Sequence, residues 1–317
     1  MAADCAEILV RPLEERDLAH ARHIFSMAFG TFLGLADPMA FAPGVDYIST
    51  RWRADTTAAF AAEHHGRLVG SNFATNWGSF GFFGPITVLP EYWDKKVAQV
   101  LLAATMTRFD AWDIQHRGLF TFPHSPKHIH LYEKYGFQTG HLTAVMAKQV
   151  AQDLDTEVER FSALSQDARG TAAAACGALT GEILDGLNVQ REIYAVTDQG
   201  IGEVSLIYGD SGLAGFAVCH CGAGTEAGNG TCLVKFGAVR PGPSSSGYFE
   251  RLLASCEAIA ARNRLGRLAV GMNMGRRRAY RQLRESGFRT LTIGVSMETR
   301  PGSSYNRPDV YVIDDWR

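Results

Sequence analysis

The stretch Phe82 to Ala104 reads FFGPITVLPEYWDKKVAQVLLAA, and it contains the pattern that decides the fold. The short apolar run from Phe82 to Val88, which ends before Pro90, predicts a buried strand. After a polar turn, apolar residues recur at one-turn spacing and predict a helix: Val97, Val100, Leu101 and Ala104. Where a turn opens directly into a helix, unpaired backbone N–H groups meet the positive end of the helix dipole. This stretch therefore predicts an anion site suited to a pyrophosphate.

The composition of the chain is that of an ordinary globular protein. It has 317 residues, of which 46% are hydrophobic and 20% charged, and its net charge is −2. That length favours about two domains, and the small negative charge argues against a nucleic-acid partner. The chain has no long apolar run that could span a membrane, and its first residues lack the order of a signal peptide. The six cysteines are scattered and need no disulfide framework in a chain of this size. Together these features predict a soluble cytoplasmic protein without a membrane partner.

The chain repeats itself at an offset of 151 residues. Adding 151 carries several residues onto identical ones without a gap: Val88 onto Val239, Pro90 onto Pro241, Leu101 onto Leu252, Gly136 onto Gly287, Phe137 onto Phe288 and Met146 onto Met297. An offset held across several elements predicts two copies of one fold. We place the boundary near residue 150, which gives units of residues 1–150 and 151–317. The strand that completes the first copy is left open, and the tail Asp309 to Ile313, which alternates like a strand, could be shared between the copies.

Other elements follow from the same patterns. Glu7 to Leu13 alternates like a strand, and the helix that begins near Val97 is predicted to continue to about Gln115. Gly30 to Thr50 is rich in Gly, Pro and aromatic residues and predicts a loop that lines a substrate mouth. Glu159 to Leu187 predicts an Ala-rich helical region.

The motifs of the first copy resemble those of the Gcn5-related N-acetyltransferase (GNAT) superfamily. They are Val88-Leu89-Pro90 at the end of a strand and, further on, the run Leu131-Tyr132-Glu133-Lys134-Tyr135-Gly136-Phe137. The resemblance covers essentially the whole chain as two tandem domains. It implies an α/β, layered α+β fold in which each domain is a mixed, mostly antiparallel sheet flanked by helices.

The resemblance implies acetyl-CoA, or another acyl-CoA, as co-substrate and no metal. In the family the pantetheine pairs with one strand edge, whose N–H groups polarise the thioester carbonyl; here that strand offers Ile86, Thr87 and Val88. The pyrophosphate lies on the turn that follows, which here offers Lys95, Lys96, Val97 and Ala98. Lys96 stands where the family prefers glycine, and its ammonium group could pair with phosphate directly. Ser125 stands where many members place an asparagine that contacts CoA.

The resemblance also implies the catalytic groups. Tyr132 matches the tyrosine that protonates the departing CoA thiolate, whereas the second copy has Leu283 at the equivalent position. Because Phe82 to Val88 contains no carboxylate, His124 is the candidate base, unless water relays the proton. Structural roles are open for both side chains, packing for Tyr132 and a surface position for His124. The first copy is predicted to be catalytic, and the second to be degenerate, with a structural or partner role.

Three other clusters have both a functional and a structural interpretation. Cys219-His220-Cys221 suggests zinc, but the spacing completes no set of four ligands and favours buried cysteines. Arg276-Arg277-Arg278 could meet a phosphate, although a solvated helix face is the simpler interpretation. In the second copy, the turn equivalent to the phosphate turn offers the serine hydroxyls of Ser244 to Ser246 to a phosphate. The bulky Phe249 in that turn should obstruct the approach of the phosphate.

The predicted function is acyl transfer from acyl-CoA, most simply acetyl transfer, to a primary amine of a small molecule or peptide. One alternative is a non-catalytic fold that senses a ligand or serves as an interaction scaffold, because Lys96 in the first turn and Phe249 in the second depart from the residues that the family prefers there. A second alternative is aminoacyl transfer from charged tRNA, against which the acidic charge argues. Neither the acceptor nor the oligomeric state follows from the sequence.

Overall fold

The structure is a computed structural model that describes residues 8–154, 156–300 and 304–317. The strands are β1 Ile8–Pro12, β2 Ala59–His64, β3 Arg67–Trp77, β4 Phe80–Phe83, β5 Thr87–Val88, β6 His116–Thr121, β7 Gln138–Gln149, β8 Glu159–Arg160, β9 Gly202–Gly209, β10 Gly212–Cys221, β11 Thr231–Val239, β12 Arg267–Asn273, β13 Arg289–Glu298 and β14 Val312–Ile313. The helices are α1 Leu18–Phe32, α2 Tyr47–Ala54, α3 Val97–Ala111, α4 Pro126–Glu133, α5 Gln166–Ile183, α6 Gln190–Asp198, α7 Ser245–Arg262 and α8 Arg277–Glu285.

The strands form one sheet that runs through both halves of the chain. Its order is β1-β2-β3-β4-β6-β13-β7-β12-β11-β10-β9-β8, with β5 paired to β3 and β14 paired to β11. The pairs β4–β6 and β11–β12 are parallel, and the other pairs of described strands are antiparallel. Helices cover both faces of this sheet, so the predicted mixed, mostly antiparallel α/β fold is confirmed.

The alternation of side chains along β2 shows how the layers are held. Phe60 and Ala62 face the core beneath α3, while Ala59 and Ala61 face the core beneath α1. Residues two apart on a strand share a face, so one strand of small and aromatic residues contributes to both layers. This arrangement places α3 and its preceding turn on the side of the sheet opposite α1.

The two halves exchange their last long strands at the centre of the sheet. Strand β13 of the second half lies between β6 and β7, and β7 of the first half lies between β13 and β12. Thr143 is opposite Gly294, its own equivalent at the 151-residue offset. Thr139 pairs with Met297 and Met146 pairs with Thr290, and exchanging each residue for its equivalent turns the first pair into the second. The register therefore has a local twofold relation, and the strand that the sequence left open for the first half is β13. Division at residue 150 remains a prediction, since the strands of the halves alternate there.

Several predicted elements have different bounds in the structure. The strand expected over Phe82 to Val88 is β4 and β5, which are separated because Gly84 turns its N–H towards Phe73 O at 2.8 Å. The helix expected to reach Gln115 ends at Ala111, since Asp113 adopts a left-handed φ of 54° and reverses the chain towards β6.

Other differences lie near the chain ends and in the second half. The expected strand Asp309 to Ile313 is reduced to β14, and Glu7 lies outside the described residues. The region Glu159 to Leu187 contains β8 and α5, and the helix α6 beyond it was not predicted. Within the described residues, no helix has both the length and the apolar character to cross a membrane.

A buried ion network joins the halves across the sheet. Arg51 of α2 contacts the Glu226 carboxylate through Nε at 2.8 Å and Nη2 at 3.0 Å, and Lys235 Nζ of β11 lies 2.7 Å from the same carboxylate. Arg51 also donates to Gly84 O at 2.6 Å, at the break between β4 and β5. The network thus fixes the backbone next to the predicted acyl site.

Candidate functional site

A groove forms where two parallel strands of the first half separate. Pairing between β4 and β6 ends at Phe82 and Gly118, although β6 continues to Thr121. Beyond that point the chain leaves β6 but remains paired with β3, where Leu89 N donates to Val69 O at 2.9 Å. Thr87 and Leu89 direct their backbone groups towards β3. Because this direction alternates along a strand, the backbone groups of Ile86 and Val88 point to the opposite edge, which is open.

That open edge contains two of the three predicted pantetheine contacts. Ile86 and Val88 present their backbone groups to the groove, whereas Thr87 faces β3 and its hydroxyl lies 3.1 Å from Ser71 Oγ. Trp93, in the turn that follows, donates its indole N–H to Val88 O at 2.9 Å. The Val88 carbonyl is therefore occupied, and the remaining edge groups are Val88 N–H and those of Ile86.

The predicted phosphate turn keeps the backbone form that glycine normally supplies. Lys96 adopts φ of 61° and is the residue that precedes α3, whose first turn begins with Val97 and Ala98. The Lys96 side chain does not cap this end, so the first N–H groups of α3 have the geometry of an anion site. Lys95 places Nζ 4.7 Å from the centre of the Tyr92 ring.

The acidic residue in this turn is neutralised by its neighbour. Asp94 lies 2.5 Å from Lys127 Nζ of α4, and both side chains are more than half exposed. Because Lys127 neutralises Asp94, the Asp94 carboxylate adds little repulsion against an anion bound beside Lys96.

The left-handed Lys96 leads to a stability prediction. Replacing it with glycine removes the steric cost that a Cβ has at positive φ, so Lys96→Gly should raise the free energy of unfolding by about 1 kcal/mol. Lys95 lacks a positive φ, so Lys95→Gly should lower the same free energy. Urea denaturation of both variants measures the difference, and destabilisation by Lys96→Gly would contradict the assigned conformation.

Tyr132 lies beside the separated end of β6. Its side chain is 5% exposed and packs against Phe83 with ring centres 5.9 Å apart. Burial raises the pKa of Tyr132 to about 12, while a hydrogen bond with the Thr121 side chain opposes that rise. The phenol therefore stays protonated at neutral pH, as a proton donor must.

The other two predicted residues lie in the loop between β6 and α4. Ser125 is buried and precedes α4, but its hydroxyl does not cap the helix. His124 is exposed, with its ring 6.0 Å from that of Phe32 and 5.7 Å from that of Phe122. The structure thus brings Tyr132, Ser125 and His124 to one end of the groove, His124 at its aromatic rim.

Part of the region expected to be a substrate-lining loop is helical. Helix α1 extends through Gly30 to Phe32, and α2 begins at Tyr47. The Phe32 ring packs against Phe122 at 4.9 Å and His128 at 5.0 Å, which brings the end of α1 to the rim of the groove. The sequence prediction missed that α1 itself, through Phe32, contacts the rim of the groove. The three-residue spacing of Phe29 and Phe32 on one helix face was the signal that could have indicated it.

The equivalent groove of the second half contains the end of the chain. Strand β14 pairs with β11 at Gly237 and Ala238, beyond the last parallel pair Val234–Val270. On the other side, Asp314 N donates to Gly271 O of β12 at 3.1 Å. The tail therefore lies between the separated strands, where the first half has an open edge.

Arg276 locks this tail in place. It is fully buried, and its guanidinium contacts the Asp314 carboxylate at 3.1 Å and donates to Val312 O at 3.0 Å. The expectation that Arg276 lies on a solvated face is therefore wrong, although Arg277 and Arg278 are exposed. Adding 151 to Ser125 gives Arg276, so a charged side chain that binds the tail replaces the predicted CoA contact.

The turn before α7, which corresponds to the phosphate turn of the first half, has two of its hydroxyls bonded within the protein. Ser245 Oγ donates to Arg240 O at 2.9 Å, and Ser246 Oγ donates to Gln282 Oε1 at 2.9 Å. Phe249 is fully buried, with its ring 5.2 Å from that of Tyr311 in the tail. The hydroxyls of Ser245 and Ser246, which the sequence offered to phosphate, thus serve the local structure.

The cysteines of the second half belong to its core. Cys219 Sγ lies 3.8 Å from Cys256 Sγ, and both side chains are buried. In residues 8–154, 156–300 and 304–317, no group of three His, Cys, Asp or Glu side chains is arranged to hold a metal ion.

Comparison with known proteins places this fold. A GCN5-related N-acetyltransferase from Sphaerobacter thermophilus has a TM-score of 0.54 at 15% identity, over 95% of this chain and 98% of that one. A candidate acetyltransferase from Pyrococcus horikoshii has a TM-score of 0.68 at 11% identity, over 98% and 95% of the two chains. No curated protein sequence matches the chain.

A family match lies over the half of the chain that contains the open groove. Residues 28–137 match the family model of the Acetyltransferase (GNAT) family. The first half of the chain therefore carries a domain of the GNAT superfamily, and the whole chain has that fold. The resemblance drawn from the sequence motifs is confirmed.

Proposed function

We propose that the chain is an acyl-CoA-dependent N-acyltransferase, with acetyl-CoA as the simplest co-substrate, and that the first half alone binds it. The observation that carries the proposal is the contrast between two grooves of the same fold. The first is open along Ile86 and Val88, whereas the tail occupies the second between β11 and β12. The family match lies over the open groove.

The proposed chemistry is attack of a neutral amine nitrogen on the thioester carbonyl. The N–H groups of Ile86 and Val88 would stabilise the negative oxygen that develops there. As the carbon–sulfur bond breaks, the CoA thiolate takes the Tyr132 proton. The proton lost by the amine passes to His124 or to water.

Binding of the co-substrate would use the turn before α3. The first N–H groups of α3 and the Lys96 ammonium would contact the pyrophosphate, and Ser125 would contact the pantetheine arm. The acceptor would approach past the aromatic rim of Phe32, Phe122 and His124. A small-molecule or peptide amine as acceptor and a cytoplasmic location are part of this proposal.

Calorimetric titration with CoA tests the site directly. We expect about one CoA per chain, because the tail fills the second groove. Lys96→Glu should weaken binding at least tenfold, because a carboxylate would replace the ammonium group next to the pyrophosphate. Arg262→Glu, on the exposed end of α7, is the matched control and should leave the affinity unchanged.

Several outcomes would contradict the proposal. Two CoA molecules per chain would mean that the tail does not exclude the ligand from the second groove. Lack of binding at millimolar CoA would remove the cofactor assignment. If CoA binds but acetyl-CoA releases no thiol with a broad amine panel, the chain is a ligand-binding protein and not a transferase.

A further inference from the structure

A second concave site lies on the other half of the molecule, along α8. The cavity has a volume of about 940 Å³ and is lined by Met146, Met274, Arg277, Tyr280, Arg281, Arg284, Glu285, Phe288, Arg289 and Thr290. Ligand pockets in proteins commonly have volumes of about 300–1,000 Å³. The size of this cavity is therefore that of a small-molecule site.

The charge of this cavity is opposite to that of the chain as a whole. Arg277, Arg281, Arg284 and Arg289 line it against a single glutamate, while the chain carries −2. All four arginines are exposed, and no carboxylate of the described residues lies within ion-pair distance of any of them. Four unneutralised guanidinium groups around one cavity favour a ligand with several negative charges.

The fold does not require these arginines. Subtracting 151 from their positions leads to Pro126, His130, Glu133 and Gln138 of the first half. The first half forms the equivalent helix α4 with no arginine at any of the four positions. The charge is therefore a property of this site and not of the helix.

The floor of the cavity is apolar and aromatic. Met146 and Phe288 are buried, and Tyr280 and Met274 are half-buried beside the arginines. The Arg284 guanidinium lies 6.0 Å from the centre of the Tyr280 ring. A ligand that combines phosphates with a flat, weakly polar group would use both the rim and the floor.

We propose that the cavity along α8 binds a nucleoside di- or triphosphate, at a site separate from the CoA groove. The arginines would hold the phosphates, and the base would lie on the half-buried Tyr280 and Met274. Nucleic acid fits less well, because it needs an extended basic surface, which a chain of net charge −2 does not supply.

Calorimetry with ATP and with inorganic tripolyphosphate tests the proposal. The double variant Arg281→Glu/Arg284→Glu should weaken ATP binding at least tenfold, since each arginine offers charge-assisted hydrogen bonds. Arg278→Glu is the matched control, because Arg278 is exposed on the same helix but does not line the cavity. It should change the dissociation constant less than twofold, and tripolyphosphate should bind more weakly than ATP. Thermal unfolding of each variant verifies that the fold is retained.

Four results would overturn this proposal. The first is that millimolar ATP gives no binding heat, and the second is that Arg278→Glu weakens ATP binding as much as the double variant does. The third is that Lys96→Glu abolishes ATP binding, and the fourth is that an RNA oligonucleotide binds at this cavity and ATP does not. Lys96→Glu separates the sites, because it alters the turn before α3 and leaves α8 unchanged. The nucleotide site can therefore fail while the transferase proposal stands, or the reverse.

Discussion

Tyr132→Phe should lower kcat for acyl transfer by about 10²-fold or more, with KM for acetyl-CoA nearly unchanged. A positioned general acid typically contributes about 10²–10⁴-fold to the rate. Phenylalanine keeps the contact with Phe83 and removes only the hydroxyl, whose partner is the Thr121 side chain. The fold should therefore survive, while the departing thiolate loses its proton donor.

The pH dependence of this effect follows from the burial of the phenol. Because burial raises the pKa of Tyr132 to about 12, the wild-type acid should remain protonated up to pH 10. The rate should thus show no loss from this group on the basic side, and the defect of Tyr132→Phe should be similar at all pH values tested. Initial-rate measurements of thiol release between pH 6 and pH 10 would record it.

Tyr135→Phe is the matched control for this prediction. Its hydroxyl donates to Gln99 O at 2.7 Å, so its loss should cost about 1 kcal/mol of stability and leave kcat unchanged. If Tyr132→Phe retains full activity across the pH range, Tyr132 is not the acid. An equal decrease of kcat in Tyr132→Phe and Tyr135→Phe would indicate a structural effect.

Glu226→Gln should lower the free energy of unfolding by about 3–5 kcal/mol at pH 7, because it leaves buried cations unpaired. Arg51, Glu226 and Lys235 are each less than a tenth exposed. Glutamine has nearly the shape of glutamate, so the change isolates the charge that holds α2 of the first half to β11 of the second. Denaturant unfolding at pH 7 measures the difference.

The same carboxylate gives the protein an acid limit. Burial by itself would raise the pKa of Glu226, but Arg51 and Lys235 outweigh it and hold that pKa well below its usual range. A carboxyl group whose pKa is lower in the folded state stabilises the fold above the unfolded-state pKa of about 4.3 and loses that stabilisation as pH falls. Wild-type stability should therefore decline below about pH 5, and Glu226→Gln should lack this part of the decline.

Glu91→Gln is the surface control for this experiment. Glu91 pairs with Arg67 at 3.2 Å with both side chains more than half exposed, so its loss should cost less than about 1 kcal/mol. A similarly small change for Glu226→Gln at pH 7 would mean that the network does not hold the halves together.

The fold was predictable to the extent that it depends on local patterns. The apolar run before Pro90, the helical spacing from Val97 and the repeat at 151 residues each act over short distances, and they gave the strand, the turn, α3 and the duplicated elements. The candidate site was predictable where it depends on local motifs. The strand edge and the phosphate turn lie within Phe82 to Ala104, and Tyr132 lies in the later run from Leu131 to Phe137. Their catalytic and binding roles remain predictions.

The remaining features depend on residues far apart in the chain. The exchange of β7 and β13 is a choice of pairing partner, which hydrophobic alternation does not specify, since either half's strand offers the same edge. Arg276 looked solvated because its partner Asp314 comes from the tail, and the tail fills a groove that exists only after folding. The sequence by itself thus determined most of the elements and one strand edge with the turn that follows it. Only the tertiary structure decided which strand completes each half and which groove stays open, because both depend on long-range backbone pairing.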